Sequence, residues 1–172
     1  MPNIERKLKR LRGLQKKLTR CEKNSNNRKE VILKIQKVYR YLKNMRKHFI
    51  HNVTNKIVKE NDIISIETLD IKNMYKEKSI AKLLTNIPLY EMIDKLRYKT
   101  KFNNKVLIEV NKYFASTKIC NRCGYKNKDI NNLAIRNWEC PVCQNNHDRD
   151  INASINIMYE GIMRYYKNQL KS

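Results

Sequence analysis

Residues 120–143 read Cys-Asn-Arg-Cys-Gly-Tyr-Lys-Asn-Lys-Asp-Ile-Asn-Asn-Leu-Ala-Ile-Arg-Asn-Trp-Glu-Cys-Pro-Val-Cys, which is two Cys-x2-Cys pairs separated by sixteen residues. This spacing is typical of a zinc ribbon, in which two tight turns each supply two thiolates to a tetrahedral ion. The predicted ligands are Cys120, Cys123, Cys140 and Cys143. The alternative is a pair of disulfides, but disulfides belong to oxidising compartments and the chain shows no apolar signal segment. Because four thiolates leave no position open for catalysis, the predicted zinc is structural.

Two side chains near this motif are predicted to support it. His147 lies just beyond Cys143, and because the four thiolates complete the shell it is interpreted as a neighbour of the metal rather than a fifth ligand. Trp138 lies two residues before Cys140 and is predicted to cover the apolar side of the small ribbon.

The charge of the chain indicates a polyanionic partner. Lys and Arg number 38 among 172 residues, against 16 acidic residues, which gives a net charge of +22. Such a charge makes a compact fold repel itself unless a polyanion neutralises it, so nucleic acid is the first candidate and an anionic membrane surface the second. No run of eighteen apolar residues occurs, and no membrane span is expected. The first 60 residues hold 19 basic and four acidic residues without alternation of sign, which favours phosphate contact over a merely solvated helical face.

Hydrophobic periodicity predicts an α+β fold. Apolar residues at spacings of three and four predict helices over 3–22 and from a cap at Asn27 to about 60, which would form a long, basic antiparallel hairpin. The apolar seam of the second helix is predicted to contain Val31, Ile35, Val38, Leu42, Met45, Phe49, Val53 and Ile57. A β-branched run predicts a buried strand over 62–69, followed by a loop over 71–78. The remaining pattern predicts helices over 79–85 and 89–102, a strand over 105–110, the ribbon over about 117–147 and a final helix over 150–170.

Three stretches of the chain resemble motifs of the TnpB/OrfB family, insertion-sequence proteins related to the type V CRISPR effector nucleases. Ile63-Ile64-Ser65-Ile66-Glu67-Thr68-Leu69 resembles the second RuvC motif of that family. Ser116-Thr117-Lys118-Ile119-Cys120-Asn121-Arg122-Cys123-Gly124 is similar to the entry of its zinc ribbon. His147-Asp148-Arg149-Asp150-Ile151-Asn152-Ala153-Ser154-Ile155-Asn156-Ile157 is similar to its third RuvC motif. The three stretches follow the family order, and the basic helical arm resembles the insert that precedes the Glu67 strand.

The resemblance implies an RNase H-like (RuvC-type) nuclease core with a catalytic set of Asp, Glu and Asp. Carried over by motif, the Glu is Glu67 and the last Asp is Asp150, and both would be magnesium ligands. Taken alone, Asp150 would be interpreted as a first-turn acid facing the helix dipole. The first Asp belongs to a motif resembling Gly-Ile-Asp-Leu-Gly, which these 172 residues do not contain.

We therefore expect an incomplete RNase H-like core, the C-terminal portion of a TnpB-type protein, which uses magnesium only when the complete nuclease site is assembled. The expected domains are a basic helical hairpin over 1–60, a partial RuvC-like α/β core over 61–116, the zinc ribbon over 117–147 and a C-terminal RuvC helix over 148–172.

The expected function is that of a nucleic-acid-binding fragment of an RNA-guided DNA endonuclease. It is expected to be inactive alone, because a cooperating set of catalytic groups loses most of its effect when one member is removed. The expected partners are DNA, a guide RNA and an upstream polypeptide that supplies the missing motif. Two alternatives stay open: a nuclease active only with that polypeptide, and a zinc-ribbon regulator that binds DNA or RNA. The expected location is the cytoplasm, on the nucleoid or in a host cytoplasm if the gene is viral.

Overall fold

The computed structural model describes residues 2–76, 89–130 and 134–170. Helices and two small sheets make up these ranges, so the predicted mixture of helix and sheet is confirmed. The chain divides into two compact units, Met1–Val53 and Thr54–Ser172. Within the described ranges, every helix is too short or too polar to cross a membrane.

The first unit is built from α1 (Pro2–Thr19) and the first part of α2 (Asn26–Glu60). Its core joins Leu11 of α1 to Val38 and Leu42 of α2, and these buried side chains hold the two helices together as the predicted hairpin. The cap of α2 is Ser25 rather than the predicted Asn27, because the Ser25 hydroxyl accepts a hydrogen bond from the backbone N–H of Arg28 at 3.1 Å.

The buried stripe of α2 departs from the predicted seam in its second half. Phe49 is 51% exposed and Ile50 is 4% exposed, so the prediction that Phe49 lies on the seam is wrong. The last turns of α2 belong to the second unit, where Val58 packs against Ile64 and Leu96. A new packing partner therefore selects a neighbouring face of the same helix.

The core of the second unit is a parallel pair of strands. β1 (Ile63–Glu67) and β2 (Val106–Val110) align with Ile63 opposite Val106 and Glu67 opposite Val110. Parallel strands require a crossover between them. Both strands lie within the ranges predicted for them, 62–69 and 105–110.

Two helices are described between these strands. A short helix, α3 (Ile71–Met74), occupies part of the predicted loop over 71–78, because the Asp70 side chain caps it by accepting from the backbone N–H of Asn73 at 3.2 Å. The helix predicted over 79–85 lies outside the described residues. α4 (Leu89–Phe102) follows as predicted, and Arg97 on α4 binds Glu109 on β2 through two hydrogen bonds of 2.7 and 3.0 Å.

The ribbon and the final helix complete the second unit. β3 (Asn137–Glu139) pairs antiparallel with β4 (Asn146–Asp148), and α5 (Arg149–Gln169) follows β4 directly. α5 packs closely on β1 at Gly161, where a Cβ atom would lie 1.9 Å from the Oγ atom of Ser65. The glycine therefore allows the helix to approach the strand.

Candidate functional site

Four cysteine thiols meet between the two turns of the ribbon. Their Sγ atoms all lie within 4.8 Å of one another. Cys120 Sγ lies 3.6 Å from Cys143 Sγ, and Cys123 Sγ lies 3.6 Å from Cys140 Sγ. A tetrahedral zinc ion with Zn–S bonds of about 2.3 Å requires sulfur atoms about 3.8 Å apart. The four free thiols therefore fit a zinc ion, and they could hold a metal as the spacing predicted.

The same backbone turn shapes each cysteine pair. Gly124 N donates to Cys120 O at 2.9 Å, and Gln144 N donates to Cys140 O at 2.8 Å. The residue that follows each pair adopts a left-handed backbone conformation, with φ of 77° at Gly124 and 56° at Gln144. Glycine adopts this conformation without strain, whereas Gln144 has to be held in it by the turn.

The thiols of the cluster differ in their readiness to ionise. The pKa of Cys140 is lowered to about 7: burial would raise it, but the backbone N–H groups of Cys143 and Val142 stabilise the thiolate. The pKa of Cys123 is raised to about 12, since burial and the neighbouring thiols outweigh the stabilising N–H of Tyr125. A metal ion binds thiolates, so it must displace these protons, and metal affinity has to fall as the pH falls.

His147 lies beside the four thiols, as predicted for a neighbour. Its Nε2 atom is 3.1 Å from Cys120 Sγ, and its ring centroid is 4.6 Å from that of Trp138. Burial lowers the pKa of His147 and thus favours the neutral ring. A neutral ring that carries its proton on Nε2 would donate to the Cys120 thiolate and orient it. Trp138 is buried against Ile130 and Cys140, which confirms that it covers the ribbon.

Glu67 ends β1 at the C-terminal edge of the parallel pair. It lines a cavity of about 70 Å³ together with Tyr90, Arg97 and Glu109. Arg97 is paired with Glu109, whereas the side-chain carboxyl group of Glu67 has no hydrogen bond or ion pair within the ranges that the structure describes. Burial raises the pKa of the Glu67 carboxyl group. A nearby cation would offset that effect, so the environment suits a carboxylate that binds a metal ion.

Asp150 lies in the first turn of α5 and is distinct in role from its neighbour Asp148. Asp148 is the N-cap of α5, and its Oδ1 atom accepts from the backbone N–H groups of Asp150 and Ile151 at 3.0 and 2.9 Å. The Asp150 side chain is 72% exposed and forms an ion pair with Arg136, with 2.9 Å between Oδ2 and Nη1. Because exposed ion pairs are weak, a metal ion could compete with Arg136 for this carboxylate.

The packing of α5 on β1 relates the two predicted carboxylates. Gly161 lies against Ser65 in the middle of β1, and Ser154, two turns earlier in α5, shares a cavity of about 260 Å³ with Glu67. The start of α5 therefore points toward the C-terminal end of β1, where Glu67 lies. Among the described residues, the four cysteines form the one group of three or more side chains that could hold a metal ion. Glu67 and Asp150 therefore do not belong to a preformed cluster of three acids. Their catalytic roles stay a prediction.

Two buried asparagines connect the ribbon to α5, and the sequence reasoning assigned them no role. Asn152, 1% exposed, accepts from Asn121 N at 3.0 Å and donates to Ile119 O at 2.8 Å. Asn156 donates to Ile119 O at 2.6 Å and to Ser116 O at 2.8 Å. Their spacing of four residues places both amides on one face of a helix, which was the signal available in the sequence.

Exposed basic side chains cover both helices of the first unit. On α1 these are Arg6, Lys9, Arg10, Arg12, Lys16 and Lys17, and on α2 they include Lys29, Lys34, Lys37, Arg40, Lys43 and Lys47. Tyr39 and Phe49 are each 51% exposed on α2. Basic side chains interspersed with exposed rings can bind phosphates and stack on bases.

Two family models match the chain. Residues 2–78 match OrfB_IS605, described as "Probable transposase", and residues 90–157 match the Cas12f1-like TNB domain. Among solved structures, a Cas12f1–sgRNA–target DNA complex is similar with a TM-score of 0.55 and 22% identity, over 86% of this chain and 41% of that one. At this identity the likeness shows the fold alone.

Curated relatives support the same assignment. A protein of Streptomyces pristinaespiralis, named as a candidate RNA-guided DNA endonuclease, is 32% identical over 89% of this chain and 38% of its own length. InsQ of Escherichia coli K12 carries the same description and is 28% identical over 92% of this chain and 43% of its own length. A TnpB-like protein of Acanthamoeba polyphaga mimivirus is 28% identical over 88% of this chain and 29% of its own length. The chain thus spans less than half the length of these relatives, and within that span it belongs to the TnpB/OrfB family of insertion-sequence proteins.

Proposed function

We propose that the chain is the nucleic-acid-binding part of an RNA-guided DNA endonuclease with an RNase H-like (RuvC-type) core. The observation that carries the proposal is the packing of α5 on β1, in which Gly161 contacts Ser65 and Ser154 shares a cavity with Glu67. This packing brings the first turn of α5, with Asp150, toward the strand end that carries Glu67. A carboxylate at a strand end and one at the start of a packed helix are the arrangement a magnesium-dependent nuclease needs.

Each predicted ligand has a separate part in this proposal. Glu67 and Asp150 would hold magnesium, which when bound activates water and stabilises the leaving oxygen of a phosphodiester. Glu67 contributes a partly buried carboxylate, and Asp150 contributes an exposed one that has to exchange Arg136 for the metal. The four cysteines would hold a structural zinc ion that fixes the ribbon.

By themselves, the 172 residues are proposed to bind nucleic acid without cutting it. They contain two carboxylates of the three that the family motif requires. DNA and a guide RNA are the proposed partners, in the cytoplasm, and a further polypeptide with the first Asp is proposed to complete the site. The names of the curated relatives and the exposed basic face of the first unit support this assignment.

The test is a cleavage assay of the zinc-loaded chain with magnesium or manganese, using single- and double-stranded DNA. We expect no cutting by the chain alone, and metal-dependent cutting when a polypeptide carrying the first RuvC strand and its Asp is added. Asp150→Ala should abolish the restored activity, whereas Glu139→Gln, an exposed acid on β3, should preserve it. Cutting by the chain alone that Asp150→Ala removes would show that another acid completes the site.

The ion pair between Asp150 and Arg136 favours one alternative, a zinc-ribbon regulator that binds DNA or RNA without catalysis. In that case Asp150 would serve structure rather than metal binding. Selection of a specific recognition sequence by the chain, together with failure of any added polypeptide to restore cutting, would favour the regulator over the nuclease.

A further inference from the structure

A lysine-rich cavity lies at the edge of the second unit opposite Glu67. It has a volume of about 460 Å³ and is lined by Asn55, Val58, Lys59, Lys99, Asn103 and Lys105. Among the described residues, the lining therefore contains three lysines, two asparagines and one valine. Its walls come from the last turns of α2 and α4 and from the residue before β2, all within the second unit.

Lys99 is the unusual member of this lining, because the residue is only 5% exposed. Its Nζ atom donates to the hydroxyl of the fully buried Thr54 at 2.6 Å. Burial, and after it the charge of Lys95, lowers the pKa of Lys99. An ammonium group in a buried environment forms a stronger charge-assisted hydrogen bond with an anion than one in water.

Stabilisation of the helix ends does not by itself explain why Lys99 is buried. Lys59 and Lys99 occupy the last turns of α2 and α4, where cations stabilise the helix dipole. A lysine can serve a helix end from the solvent, as the exposed Lys101 does in the same turn of α4. Burial of Lys99 next to an open cavity is not required for that purpose.

We propose that this cavity binds a phosphate group, with Lys99 at its base, Lys105 at its side, and Lys59 and the amides of Asn55 and Asn103 at its rim. Ammonium groups and side-chain amides are donors that suit phosphate oxygens. Lys105 is already paired with Asp62, so Lys99 and Lys59 are the residues expected to contribute most.

A backbone phosphate of a nucleic acid is the expected source, which rests on the proposed nucleic-acid binding. The rim residues Asn55, Lys59 and Asn103 are exposed, so the cavity is open to a chain passing over it. The exposed Lys56 and Lys101 lie outside the lining. A free phosphate ion would use the same donors as a backbone phosphate.

Two matched pairs of variants test the proposal on the full chain. Lys99→Met keeps the buried side-chain stem and removes the charge, and its control is Lys101→Met on the exposed face of α4. Lys59→Gln changes the rim without a risk to the core, and its control is Lys56→Gln one turn earlier. The probes are a single-stranded DNA oligonucleotide, followed by fluorescence anisotropy at several salt concentrations, and inorganic phosphate, followed by thermal unfolding at constant ionic strength.

We expect Lys99→Met to weaken oligonucleotide binding about ten-fold and to reduce the slope of log affinity against log salt by about one. Lys59→Gln should have a smaller effect of the same sign, and the two controls should bind more tightly than their partners. Phosphate should raise the Tm of the wild type but not that of Lys99→Met.

Two other outcomes would count against the proposal, and a third would count against the proposed function instead. Equal affinities within each pair, together with equal phosphate-induced shifts in Tm, would overturn the cavity as a phosphate site while leaving nucleic-acid binding intact. A phosphate-induced shift that depends on Lys99, with unchanged oligonucleotide affinity, would reject the nucleic-acid backbone as the source. No oligonucleotide binding by the wild type would instead overturn the proposed function, and the phosphate experiment would still decide the cavity.

Discussion

Replacement of Gly161 by alanine should destabilise the second unit, although alanine is the better helix former. In a helix interior, alanine gains about 1 kcal/mol over glycine. Here the new Cβ atom would lie 1.9 Å from Ser65 Oγ and 2.7 Å from Ser65 Cβ. Rotation of the serine moves Oγ but leaves Cβ in place, so α5 or β1 has to shift. Overpacking of this kind costs roughly 1–3 kcal/mol, which leaves a net loss of up to about 2 kcal/mol in the free energy of unfolding once the helix gain of about 1 kcal/mol is subtracted.

The assay is denaturant-induced unfolding of the zinc-loaded protein, and the second-site variants identify the clash. Ser65→Ala keeps Cβ and should not rescue Gly161→Ala, whereas Ser65→Gly leaves Cα at 3.7 Å, an ordinary contact, and should rescue it. Gly13→Ala in α1 is the matched control, because no atom lies within 4 Å of the new methyl group. It should stabilise α1 by up to about 1 kcal/mol. If Gly161→Ala stabilised the protein as much as Gly13→Ala does, or if Ser65→Ala rescued it as well as Ser65→Gly, the close contact of α5 with β1 would be refuted.

Three further predictions concern metal, charge and pH. Metal analysis should find one zinc ion per chain, and the double variant Cys120→Ser, Cys143→Ser should lose it. Zinc should also bind more weakly as the pH falls, because protons compete for the thiolates. Zinc content that survives the double substitution would contradict the site. Deletion of residues 2–53, which leaves intact the part of α2 that packs in the second unit, should remove most of the affinity for DNA or RNA, and the affinity of the full chain should fall steeply with salt. Glu67→Gln should be more stable than the wild type at neutral pH without divalent cations. The pKa of Glu67 is raised in the folded state, so the wild type loses stability as the pH rises from the ordinary value of 4.5 through the folded pKa, and the two proteins should converge below that range; equal stabilities across the pH range would contradict the burial of this carboxyl.

Local patterns in the sequence predicted those elements whose partners are also local. The spacing of Cys120, Cys123, Cys140 and Cys143 sufficed for the thiol cluster, because each pair is closed by its own turn. The predicted apolar seam of α2 was wrong at Phe49, because the helix changes its packing partner along its length. Hydrophobic periodicity cannot show which partner lies beside each turn. Helix α3 was missed for a different reason, since one side-chain cap at Asp70 is enough for a single turn.

The contacts that position the candidate site are long-range, and this is why the sequence did not indicate them. In the sequence, Lys99 cannot be told from the many surface lysines, because its partner Thr54 lies 45 residues earlier in the chain. In the sequence, Gly161 is only a residue of low helix propensity, and its close contact with Ser65 is visible only in the structure. In both cases the partner is decided by the packing of elements far apart in the chain, which hydrophobic periodicity does not encode.

The ribbon and the candidate nuclease site are connected through Asn152 and Asn156. These side chains bind backbone groups of residues 116–121, at the entry to the first cysteine turn, and both lie in the first two turns of α5, just after Asp150. Because buried amides without partners are costly, the start of α5 is held in place only while that turn keeps its shape. A metal ion in the four thiols would therefore also fix the position of Asp150 relative to β1. We therefore expect removal of a bound metal ion to disturb the position of the Asp150 carboxylate before it unfolds the β1–β2 pair.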